Sequence, residues 1–262
     1  CVGRFDQRSC GNMSNTAPYF SRKYPFGSEI DPMSQISGAT KILAVFGDPV
    51  SHSLSPLMHN AALTALGWDY VYLPIQVSPA YLGDAIQAIR VLGFKGVNLT
   101  IPHKQTVAPF LDEVSGDALV SGSVNTVVNR NDKLYGFSTD GLGLVRSLKE
   151  DGSYDVRGKK VLLLGAGGSA AAVIHSLINA GINSLTIVNR TSVKASSLVA
   201  QVKRATGFEI AICAFADLAK LDWDAFDLLI NTTAVGLGDN QSPLALSYLR
   251  PRHLVYDLVY QN

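Results

Sequence analysis

"KKVLLLGAGGSA", residues 159–170, decides the fold. Val161 to Leu164 are four consecutive apolar residues, one strand's worth of buried chain, and Gly165, Gly167 and Ala170 follow at the G-x-G-x-x-A spacing. The first glycine permits a tight turn. The second lets backbone approach a pyrophosphate, and the alanine lets the next helix pack closely. The free N–H groups at that helix's start then offer phosphates the positive end of its dipole. From Val161 to Asn189 there is no Asp, Glu, Lys or Arg. Such a run could pass for a membrane span, but the glycines interrupt it after one strand. It reads as strand, glycine turn, helix, strand, the signature of a buried parallel sheet.

The next strand, "SLTIVNR" (184–190), indicates which dinucleotide fits. An NAD site places Asp or Glu near the end of this strand to bind the ribose 2′-OH. Here Asn189 stands in that place, followed by Arg190, Thr191 and, one turn later, Lys194. Arg190 can stack on adenine and pair with a 2′-phosphate; Thr191 adds a hydroxyl and Lys194 a second cation. The missing acid and the added cations favour NADP over NAD. A helix (193–206) and the strands "EIAICAF", "FDLLINTT" and "HLVYDLVY" complete this half.

Upstream the same alternation is present. "KILAVFG" (41–47) is a strand, "SPLMHNAALTALG" (55–67) a helix, "DYVYLPIQV" (69–77) a strand, and "AYLGDAIQAIRVLG" (80–93) a helix. "KGVNLTIP" is a third strand, with Val97, Leu99 and Ile101 alternating against polar Asn98 and Thr100. "NRND" in "VVNRNDKLYGFST" marks a hairpin, and a helix runs from about Gly141 to Glu150. The expected architecture is α/β with two domains. Residues 41–142 form one domain with a mainly parallel sheet, the place for a substrate if the second half holds the nucleotide, and 143–262 a Rossmann-like NADP domain, with the joint near residues 140–155.

Composition narrows the function. At 262 residues and 47% apolar, the chain can bury a large core. A formal net charge of +1 argues against a dedicated nucleic-acid or anionic-membrane surface. The three cysteines, Cys1, Cys10 and Cys213, are widely spaced, and the five histidines show no metal-ligand pattern. No metal, nucleic-acid or membrane partner is expected, and the cytoplasm is the expected compartment. Residues 1–40 are polar and unpatterned. Met33 is a candidate start, with residues 1–32 either a leader or a disordered extension.

Two features suggest a substrate site. In "SHSLSP" (51–56), Ser53 and Ser55 lie two apart in extended chain, so both hydroxyls can point one way beside the helix that starts at Pro56. Two hydroxyls and a helix dipole suit a small carboxylate, although Ser55 could equally be an N-cap. Lys104, just past Pro102, is either a solvated charge or an acid presented at a sheet's C-terminal edge.

Taken together, "SHSLSP", "NLTIPHK", "SVNT", "STDGLG", "GAGGSA", "NRT", "INTTAVG" and "YDLVYQ" resemble the shikimate dehydrogenase family from about Lys41 to Gln261. The resemblance implies NADP-dependent, reversible reduction of 3-dehydroshikimate to shikimate, in chorismate and aromatic amino-acid biosynthesis, by a monomer or homodimer. It implies that Ser53 and Ser55 hold the substrate carboxylate and that Thr100, Asn125 and Asp140 bind ring hydroxyls. Lys104 becomes the acid/base, with Asp140 orienting it. Gly165, Ala166, Gly167, Gly168, Ser169, Asn189, Arg190, Thr191 and Lys194 hold NADP. Tyr260 touches substrate, and Leu258 lies near the nicotinamide. Ser138, Ala234, Leu237 and Leu258 depart from the family's usual residues. After "YDLVY" the family continues into helices that return to the first domain and supply a glycine and a glutamine, for which no counterpart is found here. An NAD-preferring quinate/shikimate dehydrogenase and a non-catalytic NADP-binding protein are the alternatives.

Overall fold

The structure, a computed structural model, describes residues 2–3, 36–236 and 241–259. Its elements in chain order are β1 (Val2–Gly3), β2 (Lys41–Gly47), α1 (Ser55–Ala65), β3 (Tyr70–Gln76), α2 (Leu82–Val91), β4 (Gly96–Leu99), β5 (Glu113–Val114), α3 (Gly116–Ser121), β6 (Thr126–Arg130), β7 (Lys133–Phe137) and α4 (Asp140–Glu150). There follow β8 (Lys160–Leu164), α5 (Gly168–Asn179), β9 (Ser184–Asn189), α6 (Ser192–Thr206), β10 (Ile210–Ala214), β11 (Leu228–Asn231) and β12 (Leu254–Asp257). Short 3₁₀ turns, one at His103–Gln105, fill several connections.

One sheet has the order β3-β2-β4-β6-β7-β5. β2 lies parallel to both β3 and β4; β6 and β7 then enter as an antiparallel hairpin. The hairpin turns at Asn131 and Asp132, with φ of 51° and 63°, the left-handed pair that a tight two-residue turn requires. Its core joins Ala44 and Phe46 of β2, Ile86 and Ile89 of α2, Val97 and Leu99 of β4, and Val127 and Leu134 of the hairpin.

The other sheet has the order β1-β12-β11-β8-β9-β10. β8 to β12 are all parallel, and β1 adds to the β12 edge antiparallel. The chain runs outward from β8 to β9 and β10, then crosses to the other side for β11 and β12. The order therefore reverses between β8 and β11, and at such a point a crevice opens beyond the carboxyl ends of the strands. α5 is apolar on most sides because it is covered on most sides. It packs on the sheet and is overlaid by α3 and α4 from the first half of the chain.

The structure differs from the sequence reading in several places. β4 ends at Leu99, and Ile101 is 60% exposed rather than a core residue. Past Leu99 the backbone turns to pair with the β2 loop, where the Asp48 N–H donates to the Ile101 carbonyl at 3.0 Å, so strand alternation no longer sets the side chain's direction. α4 runs unbroken across the 142/143 boundary, and its Leu144 and Leu148 pack into the core of the second sheet. Gly141 makes this possible, since a Cβ there would lie 2.2 Å from the Ala172 carbonyl oxygen of α5. Val2–Gly3, within the stretch read as a leader, forms β1; Met33 lies outside the described residues. α3 and β5 are too short to carry a readable period. Among the described residues no helix is long and apolar enough to cross a membrane, and no group of three or more His, Cys, Asp or Glu is placed to hold a metal ion.

Candidate active site

Lys104 lies in the 3₁₀ turn beyond β4, and Asp140 is the first residue of α4. Lys104 Nζ donates to Asp140 Oδ2 at 2.6 Å. The two side chains retain only 16% and 23% of their exposure. Such a pair is neither a free surface charge nor a sealed ion pair; it is screened from bulk water yet reachable. The carboxylate sits on the first turn of a helix, where dipole and free N–H groups favour negative charge. Its other oxygen, Oδ1, accepts from Asn125 Nδ2. Asn125 is buried, and its Oδ1 accepts from the Thr139 N–H at 3.0 Å.

The turn that carries Lys104 is fixed on both sides. The Val124 N–H donates to the Lys104 carbonyl at 2.8 Å. His103, fully buried, meets the Val77 carbonyl with Nε2 at 2.7 Å. Thr100 presses its methyl against Gly47, where a Cβ would come within 2.3 Å. Ser53 and Ser55 follow β2 at this same carboxyl edge, and the Ser55 N–H donates to Ser53 Oγ at 3.3 Å. The N-cap position of α1 is Leu54, with no side-chain cap bond, so Ser55 is the first helical residue and not the cap.

Facing this edge is the glycine turn. Gly165 has φ +106°, which a side chain rarely adopts, and a Cβ there would stand 2.7 Å from Thr232 Oγ1. Thr232 in turn donates to the Leu164 carbonyl at 2.6 Å, pinning the end of β8 to the chain leaving β11. A Cβ on Gly167 would meet no protein atom within 4 Å, and Gly167 lines an open cavity. The two halves touch at Gly168, where a Cβ would lie 3.3 Å from Gln105 Cγ, 3.4 Å from Ser123 Oγ and 3.5 Å from Lys104 Cβ. The lysine turn therefore packs directly on the N-terminus of α5.

The cavity measures about 890 Å³. Ile101 and Gln105 line it from the first half, Gly165 to Gly167 form one wall, and Asn189, Arg190, Thr191 and Lys194 form another. Among the described residues its lining includes two cations and no carboxylate. A bare backbone cradle, a helix N-terminus and two cations at the far end fit a dinucleotide carrying an extra phosphate. Asn189 has another use: its Nδ2 donates to the Thr191 carbonyl at 2.8 Å and shapes the cationic loop.

The structure thus brings Lys104, Asn125 and Asp140 into direct contact, and gathers Gly165, Ala166, Gly167, Asn189, Arg190, Thr191 and Lys194 around one cavity. Gly168 and Ser169 open α5 beside it. Leu258 follows β12, where its N–H donates to the Asn231 carbonyl at 3.1 Å and its side chain packs on the second core. Tyr260 and Leu237 lie outside the described residues. Gln105, Gln201 and Phe215 also line the cavity, although no motif marks them, as does Thr233 of "INTTAVG", to which the sequence reading gives no role. Phe215 could have been found only from strand register. Asn189 pairs with Ala214 between β9 and β10, so Arg190 and Phe215 leave neighbouring strands side by side.

The comparisons with known proteins agree with this arrangement. Residues 45–127 match the sequence model of the shikimate dehydrogenase substrate binding domain, and residues 147–236 that of shikimate / quinate 5-dehydrogenase. Shikimate dehydrogenase (NADP(+)) of Geobacter metallireducens is 42% identical over 228 residues, spanning 86% of this chain and 80% of that protein. Shikimate 5-dehydrogenase of Listeria monocytogenes, solved in complex with shikimate and NAD, has a TM-score of 0.78 at 35% identity, covering 86% of this chain and 81% of that one. The Thermus thermophilus enzyme, in complex with NADP(H) and shikimate, has a TM-score of 0.73 at 36% identity, covering 84% and 79%. With a lysine–aspartate pair packed against a dinucleotide turn, and with this similarity running through both halves, the chain belongs to the shikimate dehydrogenase family.

Proposed function

We propose that this protein catalyses the reversible, NADP-dependent reduction of 3-dehydroshikimate to shikimate in aromatic amino-acid biosynthesis. One observation carries the reading: the Lys104–Asp140 pair, at 2.6 Å, stands where the lysine's own Cβ approaches the helix that opens the nucleotide cradle. Acid and cradle are then close enough to serve one substrate.

A nicotinamide held in this cavity would supply the hydride. The chain's own residues supply the proton and hold the partners in place. The Lys104 ammonium donates a proton to the oxygen that becomes the hydroxyl, and Asp140 keeps that ammonium aimed. Ser53 and Ser55, beside the N-terminus of α1, receive the substrate carboxylate; Thr100, Asn125 and Tyr260 receive the remainder of the ring. Gly165 to Ser169 hold the pyrophosphate by backbone N–H groups. Arg190, Thr191 and Lys194 hold the 2′-phosphate, and Leu258 lies towards the nicotinamide. The functional division follows the two sheets, with α4 belonging to both: its first residue serves catalysis and its later leucines serve the nucleotide half.

Turnover of 3-dehydroshikimate by the purified full chain, followed by loss of reduced-cofactor absorbance, tests the reading. NADPH is expected to support much faster turnover than NADH, and Lys104→Ala to abolish most of it. No turnover with either cofactor, or undiminished turnover in Lys104→Ala, would overturn the assignment.

A further inference from the structure

Asp140 ends a row of hydrogen bonds that crosses the first sheet. The row begins at Tyr72 on the edge strand β3, whose hydroxyl lies 2.7 Å from Asn98 Oδ1 on β4. Asn98 Nδ2 donates to Thr126 Oγ1 at 3.1 Å and to the Asn125 carbonyl at 3.2 Å. Thr126 Oγ1 lies 3.1 Å from Asn125 Oδ1, and Asn125 Nδ2 reaches Asp140 Oδ1. Lys104 holds the opposite carboxylate oxygen.

Backbone groups fix the direction of every bond. A carbonyl only accepts, so the Asn98 amide must turn its NH₂ toward the Asn125 carbonyl; its Oδ1 then faces Tyr72, which must donate. A peptide N–H only donates, so the Thr139 N–H, 3.0 Å from Asn125 Oδ1, forces the Asn125 NH₂ toward Asp140. Between them Thr126 accepts from Asn98 and donates to Asn125. All protons in the row point at Asp140, and bonds of one direction polarise and strengthen one another. Both Asp140 oxygens are thereby engaged, Oδ1 by the Asn125 NH₂ and Oδ2 by the ammonium, which fixes the plane of the carboxyl group. Carboxamides do not pass protons readily, so the row orients and does not conduct. Its far end is anchored. Tyr72 is 2% exposed, its ring stacks on His59 at 4.3 Å, and Asn60 clamps its backbone N–H and carbonyl at 2.8 and 2.9 Å.

We infer that Thr126, with Asn98 and Tyr72 behind it, is a positioning residue that sets the orientation of the Lys104–Asp140 pair. The inference rests on the proposed function. Thr126→Val keeps the branched shape and removes the hydroxyl. It is expected to lower kcat roughly three- to tenfold, the worth of one net hydrogen bond, with KM for NADPH unchanged. Thr126→Ser should restore kcat, and Tyr72→Phe, two steps upstream, should give a smaller loss of the same kind. In an Asp140→Asn background Thr126→Val should cost nothing further, because the group it acts through is gone. Independently of turnover, the side-chain NH₂ resonances of Asn125 in ¹⁵N-labelled protein should move on Thr126→Val. Wild-type kcat in Thr126→Val, an equal loss in both backgrounds, no rescue by serine, or unmoved Asn125 resonances would each overturn the inference. A wild-type chain that fails to reduce 3-dehydroshikimate would remove the proposed function instead, and the resonances would still decide the role of the row.

Discussion

At the carboxyl edge of the second sheet the working atoms are backbone. Gly165 turns at φ +106°, Gly167 presents bare chain to the cavity, and α5 offers its N-terminus. At the facing edge of the first sheet they are side chains. Lys104 reaches Asp140 across 36 residues of sequence, and Asn98 of β4 and Thr126 of β6 connect to it through Asn125. On the proposed function, the difference follows from the task. A pyrophosphate is a diffuse charge that several N–H groups of one turn can hold, so a contiguous peptide suffices. A single proton must be delivered to one atom from one direction, and this requires groups locked from several sides. One edge is therefore sensitive to backbone conformation, the other to the identity of individual polar atoms.

Substitutions sharpen that contrast. The largest effect is expected at the side-chain edge: Lys104→Ala should lower kcat by about 10²- to 10⁴-fold, the usual worth of a positioned acid, with KM for NADPH unchanged in steady-state kinetics. Next comes the backbone edge. Gly165→Ala forces a strained φ and drives a methyl against Thr232 Oγ1, 2.7 Å away; it should cost roughly 1–3 kcal/mol of stability, read by thermal melting, and weaken NADPH binding. If Gly165→Ala instead bound NADPH normally and lost only kcat, the division of labour between the edges would fail. Arg190→Ala should raise KM for NADPH by roughly tenfold and that for NADH much less, since only NADPH loses a charge-assisted contact at the 2′-phosphate while both lose the stacking on adenine.

The smallest effect lies away from both edges. Tyr154 packs on the second core with its hydroxyl buried and unpartnered. Burial, then nearby Asp227, pushes its pKa from 10.0 up to about 12, while Arg252 opposes. Above pH 10 the unfolded chain therefore releases a proton that the folded chain keeps, and stability falls until about pH 12. Tyr154→Phe should flatten this alkaline loss in melting curves recorded against pH and leave kcat unchanged. A changed kcat would mean that the core and the catalytic edge are coupled.

The two edges were also unequally legible. The glycine turn, the missing acid at Asn189 and the Asn131–Asp132 hairpin are local, so residue type and spacing carry them. Ile101 was misread because its alternation continues past the last ladder bond, where only the β2 loop decides direction. Ser55 was half read: its neighbourhood is right, but Leu54 takes the N-cap position. Phe215 enters the cavity because Ala214 is in register with Asn189. Gln201 was invisible for a similar reason, since its Nε2 bonds the Val120 carbonyl, 81 residues away.

The sequence by itself determined the alternation of strands and helices, the dinucleotide turn and the cationic end of its pocket, because periodicity, glycine freedom and charge act over a few residues. Only the tertiary structure decided that Asp140 meets Lys104, that α4 serves both halves, and that a row of polar side chains aims at one carboxylate. Those are facts of register and helix packing, set by where apolar faces bury and how closely Gly141 lets α4 approach α5.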